Sequence, residues 1–468
     1  MDRIEFDDIQ GLIIRGYKEL PFARFLLLEM SDVAAARGWL ARVRVTPASD
    51  RDHETATNLA FTSDGLGALG LPGGELDAFS LEFREGMSKS AQRNRALGDL
   101  DRQAPESWIW GRPTDSIHAV LLLYARTATQ LQALDEAANA EIDAAKIRVA
   151  RRLETHTLSD GDGFRKYWFR EHFGFRDGVA QPRLALHPAT AEELRRGIAQ
   201  ASQAENLVRA GEFVFGYPNE YGGLPDGGGP DALAKNGSFL VFRQLEQDVF
   251  GFWQFIREKA RQLDCDPIFL ASKMVGRWPN GAPLVKAART ETAGLEQFDA
   301  FGYRDDPKGH ACPASSHVRR ANPRDGLFAD PSESLRISNR HRLVRRGRPY
   351  GEPIDSPLDP SSFLPNLDAL EASKPKTERG LHFLCFNTNI RRQFEFVQQT
   401  WANNPKFAEQ HNGPDPIIGP NDGGEFQLPG DPARRQVTPL KSFVRGRGGA
   451  YFFMPGLRAL SRLAGVRQ

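Results

Sequence analysis

Four times along the chain, an apolar run of strand length is followed by a stretch of helical periodicity. The first pairs residues 22–28 with a helix predicted over 31–43, where Ser31 stands as N-cap before an alanine-rich segment. The second pairs 119–124 with a helix over 127–142 that sets Leu131, Leu134 and Ala138 on one face. In the C-terminal half, 239–242 precedes a helix over 249–263, and 381–386 precedes one over 390–401. Two such units per half predict an α+β fold of two domains with similar plan, each packing helices on a sheet. The turn-rich segment 217–230 separates them, which places domains over 1–216 and 231–468. A long irregular region over 282–375 is of the kind that carries function. Residues 446–455 read as a tight turn feeding one last buried strand.

Composition narrows the partners. With 61 basic against 60 acidic side chains the net charge is +1, so neither nucleic acid nor an anionic membrane is expected as a partner. The first residues lack a basic region followed by an apolar core, and no run is long enough to cross a bilayer. Cys265, Cys312 and Cys385 are odd in number and far apart, which argues against a disulfide framework and for a reducing cytoplasm. A homo-oligomer is compatible with all of this.

Two segments carry the chemistry. In His172-Phe-Gly-Phe-Arg-Asp-Gly-Val-Ala-Gln-Pro182, Asp177 lies between Gly174 and Gly178, where backbone can come close to a flat ligand. In Cys312-Pro-Ala-Ser-Ser-His-Val-Arg-Arg-Ala-Asn-Pro-Arg324, the imidazole of His317 is followed by three arginines. An acid, a metal-capable base and several guanidiniums together suit peroxide chemistry on a propionate-bearing iron macrocycle. Asp177 alone would pass for a turn acid and His317 for a structural histidine. A ligating imidazole needs an acceptor for its second nitrogen, and Glu409 or Asp415 can serve. An arginine beside Asp177 would keep the acid ionised. The run Leu343-Val-Arg-Arg-Gly-Arg-Pro-Tyr-Gly351 offers Arg345, with Arg346 as fallback. Zinc held by His310, Cys312 and His317 is the competing reading, although it lacks paired ligand spacing and a fourth ligand.

These motifs closely resemble the dye-decolorising peroxidases. So do the segment 380–401, the opening Asp8-Ile-Gln-Gly-Leu-Ile-Ile-Arg-Gly-Tyr-Lys-Glu-Leu and the closing Arg-Gly-Gly-Ala-Tyr-Phe-Phe. The resemblance implies two ferredoxin-like domains, each with an antiparallel sheet, and haem b in the C-terminal one. It implies His317 as the axial iron ligand, Asp177 as the distal acid–base residue and Arg345 as the distal arginine. Arg324, and less strongly Arg277, would meet a propionate, with Leu381 and Phe383 lining the distal pocket. Hydrogen peroxide would be reduced and dyes, phenols or other one-electron donors oxidised. Gly347 departs from relatives that carry an asparagine there. No Cys-x-x-Cys-His occurs, so the haem would be non-covalent. A haem carrier or sensor without turnover is the rival function.

Overall fold

In the computed structural model, residues 3–156, 170–186, 207–374, 377–430 and 433–466 are described. Its strands are β1 (Phe22–Glu29), β2 (Thr55–Phe61), β3 (Ala119–Ala125), β4 (Arg148–Glu154), β5 (Arg183–Ala185), β6 (Leu207–Arg209) and β7 (Ser238–Gln247). They continue with β8 (Val344–Arg345), β9 (Arg348–Tyr350), β10 (Gly380–Asn387), β11 (Phe426–Leu428), β12 (Arg435–Val437) and β13 (Val444–Met454).

Nine of them form one antiparallel sheet in the order β4-β1-β3-β2-β13-β7-β10-β8, with β9 also on β10. The first four strands stand in the order fourth-first-third-second. So do β13, β7, β10 and β8 when counted in chain order, which repeats one ferredoxin-like plan twice. In each repeat a helix follows the first and third strands. These are α1 (Val33–Leu40) after β1, α2 (Ala128–Ala144) after β3, α3 (Val249–Gln262) after β7, and a wide-turned π-helical stretch, Arg391–Glu395 and Val397–Ala402, after β10. The α+β expectation therefore holds, and all four strand–helix units are present.

The apolar runs in the sequence are continuous because the central strands are covered on both faces. Leu26, Leu123, Val241 and Phe453 belong to the core on one face, while Phe25, Leu122, Phe242 and Phe452 belong to the core on the other. At α1 the cap is Asp32 rather than Ser31, since the Asp32 carboxylate accepts the Ala35 N–H at 2.9 Å. The C-terminal glycines make no tight turn. They lie within the eleven-residue strand β13, whose register against β7 shifts between Gly446 and Gly448. That bulge inserts one residue and bends the strand.

Candidate active site

The alternation of β7, β10 and β13 builds one wall of a cavity of about 220 Å³. Arg243, Leu245 and Gln247 project from one face of β7. The register sets Phe383 opposite Arg243, Leu381 opposite Leu245 and Gly446 opposite Leu245 on the other side. Arg345 on β8 pairs with Cys385 of β10 and so joins the same face. Arg346 must then point through the opposite face, where its guanidinium donates to the carbonyls of Leu12, Ile13 and Ile14. The period of a strand thus selects Arg345 over its neighbour.

The loop carrying Asp177 hangs over this wall. Asp177 Oδ1 accepts the Gly178 N–H at 2.6 Å and lies 3.4 Å from Arg345 Nη1. Its Oδ2 has no partner among the described residues. The two glycines are required for different reasons. A side chain at Gly174 (φ +92°) would strike the Pro360 ring at 2.8 Å, so this glycine serves packing rather than ligand approach. Gly178 lines the cavity, and its left-handed backbone, φ +75°, requires glycine. The Gln181 side chain accepts the Arg345 N–H at 3.0 Å and ties the loop's far end to β8.

His317 opens the short helix α4 (His317–Ala321) and lines the same cavity. Its Nδ1 hydrogen-bonds to Asp415 Oδ2 at 2.9 Å, and its Nε2 has no protein partner among the described residues. Asp415 is buried, and its Oδ1 accepts the N–H groups of Ile417 at 2.9 Å and Ile418 at 3.0 Å. Burial works against charge on both groups. Their mutual attraction outweighs it, raising the His317 pKa and holding Asp415 below the usual carboxylate range. The charges of Arg345 and Asp177 are also felt at His317, as expected for groups that line one cavity.

Such an arrangement suits a flat iron macrocycle. One imidazole nitrogen is fixed by a carboxylate and the other is free for a metal, an acid and a guanidinium line the same cavity, and Leu381 and Phe383 add apolar lining. Arg277 stands in the cavity wall. It donates to the carbonyls of Gly281 and Phe298 and to Asp299 Oδ1 at 2.7 Å. Arg324 does not line the cavity. It is held one layer behind by the carbonyls of Asp299 and Phe301 and by the same Asp299 carboxylate. The side chain of Glu409 lies outside the described residues, and the carboxylate on His317 is that of Asp415. The zinc ligands do not converge. His310 is exposed, and Cys312 is buried with its Sγ 3.2 Å from Ser316 Oγ. Among the described residues no group of three or more His, Cys, Asp or Glu is placed to hold a metal ion.

No protein-family model matches the chain. It is 30% identical to a "Dye-decolorizing peroxidase" of Exidia glandulosa over 97% of this chain and 86% of that one. It is equally 30% identical to the "Multifunctional dye peroxidase DyP2" of an Amycolatopsis species, over 98% of this chain and 95% of the other. The chain belongs to the dye-decolorising peroxidases. Among solved structures, a fungal DyP-type peroxidase from Auricularia auricula-judae superposes with a TM-score of 0.77 at 26% identity, covering 99% of each chain. An Anabaena DyP-type peroxidase superposes at 0.79, covering 98% of this chain and 94% of the other. Membership in the dye-decolorising peroxidases implies a haem, which the donor set fits.

In this member of the family, three features of the site were not visible in the sequence. Glu171 lies in the cavity wall six residues before Asp177. Asp99 and Arg243, both buried, form an ion pair in the same wall, and a side chain at Gly446 would press on that guanidinium at 3.1 Å. Gln247 also faces the cavity. Asp99 and Arg243 are 144 residues apart, and only the sheet brings them together. The missing asparagine at Gly347 has a structural counterpart: any side chain there would meet the His382 carbonyl at 2.9 Å.

Proposed function

We propose that the chain is a peroxidase that holds haem b non-covalently between His317 and the Asp177–Arg345 pair. It would reduce hydrogen peroxide and oxidise dyes, phenols or other one-electron donors. The observation that carries this reading is the carboxylate-fixed imidazole of His317 and an acid–guanidinium pair lining one cavity. The haem iron, when bound, supplies the redox chemistry: two electrons to peroxide, recovered one at a time from donors.

The protein's own groups do the rest. Asp415 keeps the proton on Nδ1 of His317 and so leaves Nε2 as the ligand atom. Asp177 takes the proton from the nearer peroxide oxygen and delivers it to the farther one through its free Oδ2. Arg345 holds Asp177 in place and stabilises the negative charge that develops as the O–O bond breaks. Arg277 would meet a propionate, with Arg324 bracing it through the shared Asp299. Leu381 and Phe383 keep water from the distal face.

The repeated strand order supports domains over 1–216, with the Asp177 loop, and 231–468, with His317. Three free cysteines support a cytoplasmic location, and no helix among the described residues is long and apolar enough to cross a membrane. A haem carrier or sensor needs no acid–guanidinium pair beside the iron, which favours the peroxidase. An absorption spectrum of purified protein tests the reading. A Soret band that changes within seconds of adding peroxide is expected. A band indifferent to peroxide indicates a carrier, and no band at all removes the haem.

A further inference from the structure

The distal loop is held by a side chain that the peroxide chemistry does not use. Residues 170–176 turn back on themselves, with Arg170 bridging Arg176 and the Glu171 N–H donating to the Phe175 carbonyl at 2.9 Å. The Glu171 carboxylate sits inside that turn. Its Oε2 accepts the Phe173 N–H at 2.9 Å and the Gln247 amide at 2.5 Å, and its Oε1 accepts the Phe175 N–H at 3.0 Å. Gln247 ends β7, the strand that also carries Arg243 and Leu245 in the cavity wall. One carboxylate therefore fastens the turn both to itself and to the sheet, and the last residue it holds, Phe175, stands two before Asp177. The outer side of the turn is packed in place. Phe173 lies 4.5 Å from Phe252, Phe175 stacks on Trp253, and the Trp253 indole donates to the Phe173 carbonyl.

We propose that Glu171 is the positioning residue of Asp177: its carboxylate moors the distal loop to β7 and so fixes the distance between the acid and Arg345. This rests on the peroxidase reading for its consequence but not for its geometry. No neutral side chain of the same shape replaces it. Each carboxylate oxygen faces a backbone N–H, so in Glu171→Gln one amide NH₂ must confront a donor.

The surroundings of the carboxylate support a link to Asp177. Burial raises the Glu171 pKa to about 7 against the pull of its hydrogen bonds, and the Asp177 charge raises it further. Gln247 from β7 is neutral, and Phe252 and Trp253 from α3 are apolar. The Arg170 guanidinium donates to the Gly174 carbonyl and to Asp359, and the Asp177 charge acts on Glu171.

Three measurements on the holoenzyme test the proposal. Glu171→Gln is expected to slow the peroxide-induced Soret change about tenfold or more, the scale of one displaced hydrogen bond to a charged group. In the Asp177→Asn background the same change is expected to have no further effect, because Glu171 acts only through Asp177. An infrared pH titration is expected to show a carboxylic-acid band with a midpoint near pH 7. That band is absent in Glu171→Gln, and its midpoint falls in Asp177→Asn. If Glu171→Gln does not fold, Gln247→Ala removes one of the three hydrogen bonds and is expected to give a smaller loss with the same dependence on Asp177. Equal slowing with and without Asp177, or an unchanged rate, overturns the proposal. Wild-type protein without a Soret band counts instead against the peroxidase reading, and the infrared titration then still decides the mooring.

Discussion

Replacing Asp415 by Asn probes the centre of the site with the least change in shape. Asp415 Oδ1 receives two backbone N–H groups, from Ile417 and Ile418, and these pin the carbonyl side of the new amide to Oδ1. The NH₂ must then stand where Oδ2 was, 2.9 Å from Nδ1 of His317. A donor now faces Nδ1, so the imidazole gives up its Nδ1 proton and takes one on Nε2, the nitrogen meant for iron. Recovering the ligating tautomer forfeits a hydrogen bond to a charged group, about 1.5–3 kcal/mol. At about 1.4 kcal/mol per factor of ten, haem affinity falls roughly 10- to 100-fold, in the range known for lost partners of metal-bound histidines. The assay is titration of cofactor-free protein with haemin, followed in the Soret region, alongside thermal unfolding of the same protein. The fold should hold, since both Oδ1 contacts survive. Wild-type affinity with an unaltered spectrum in Asp415→Asn would refute the reasoning and return the choice of partner to Glu409.

Asp177→Asn is expected to retain haem and slow the peroxide reaction by about 10²- to 10⁴-fold, the usual worth of a positioned acid–base group. Arg345→Leu is expected to slow it through lost charge stabilisation of about 3 kcal/mol. Stopped-flow absorbance reads both, and wild-type rates in both variants sink the distal pair. Trp401 is buried against His341 and Phe396, and its carbonyl accepts from Arg320 on the proximal side. If it carries electrons, Trp401→Phe impairs oxidation of large dyes and spares peroxide and small phenols. Equal loss on every substrate, with a lowered melting temperature, marks a packing residue instead.

The fold was legible wherever burial was simple. Strands covered on both faces carry unbroken apolar runs, so β1, β3, β7 and β10 stand out, and the helices after them carry a plain 3.6-residue period. Short strands such as β8 and β9 are invisible to periodicity because two or three residues hold no period. The run 343–351 offers Arg345 and Arg346 as neighbours, and the pleat of β8 decides between them. Arg324 shows the opposite limit. Its motif places it near the cofactor, whereas its φ of +52° and its grip on Asp299 decide which side of the wall it occupies. Asp99, Arg243 and Glu171 act through tertiary contacts with no local signature, so no spacing rule reaches them.

The central seam of the sheet has a consequence for how the chain is made. β13 lies between β2 and β7, yet it follows every other strand in the sequence, and it meets β2 through the single pair Phe453 and Phe61. Until ribosomal synthesis delivers it, β7 presents an unpaired apolar edge, the kind of surface on which nascent chains stick to one another. Neither repeat can be sealed to its neighbour early. Slow or interrupted translation late in the message should therefore divert the product into aggregates out of proportion to the few residues lost.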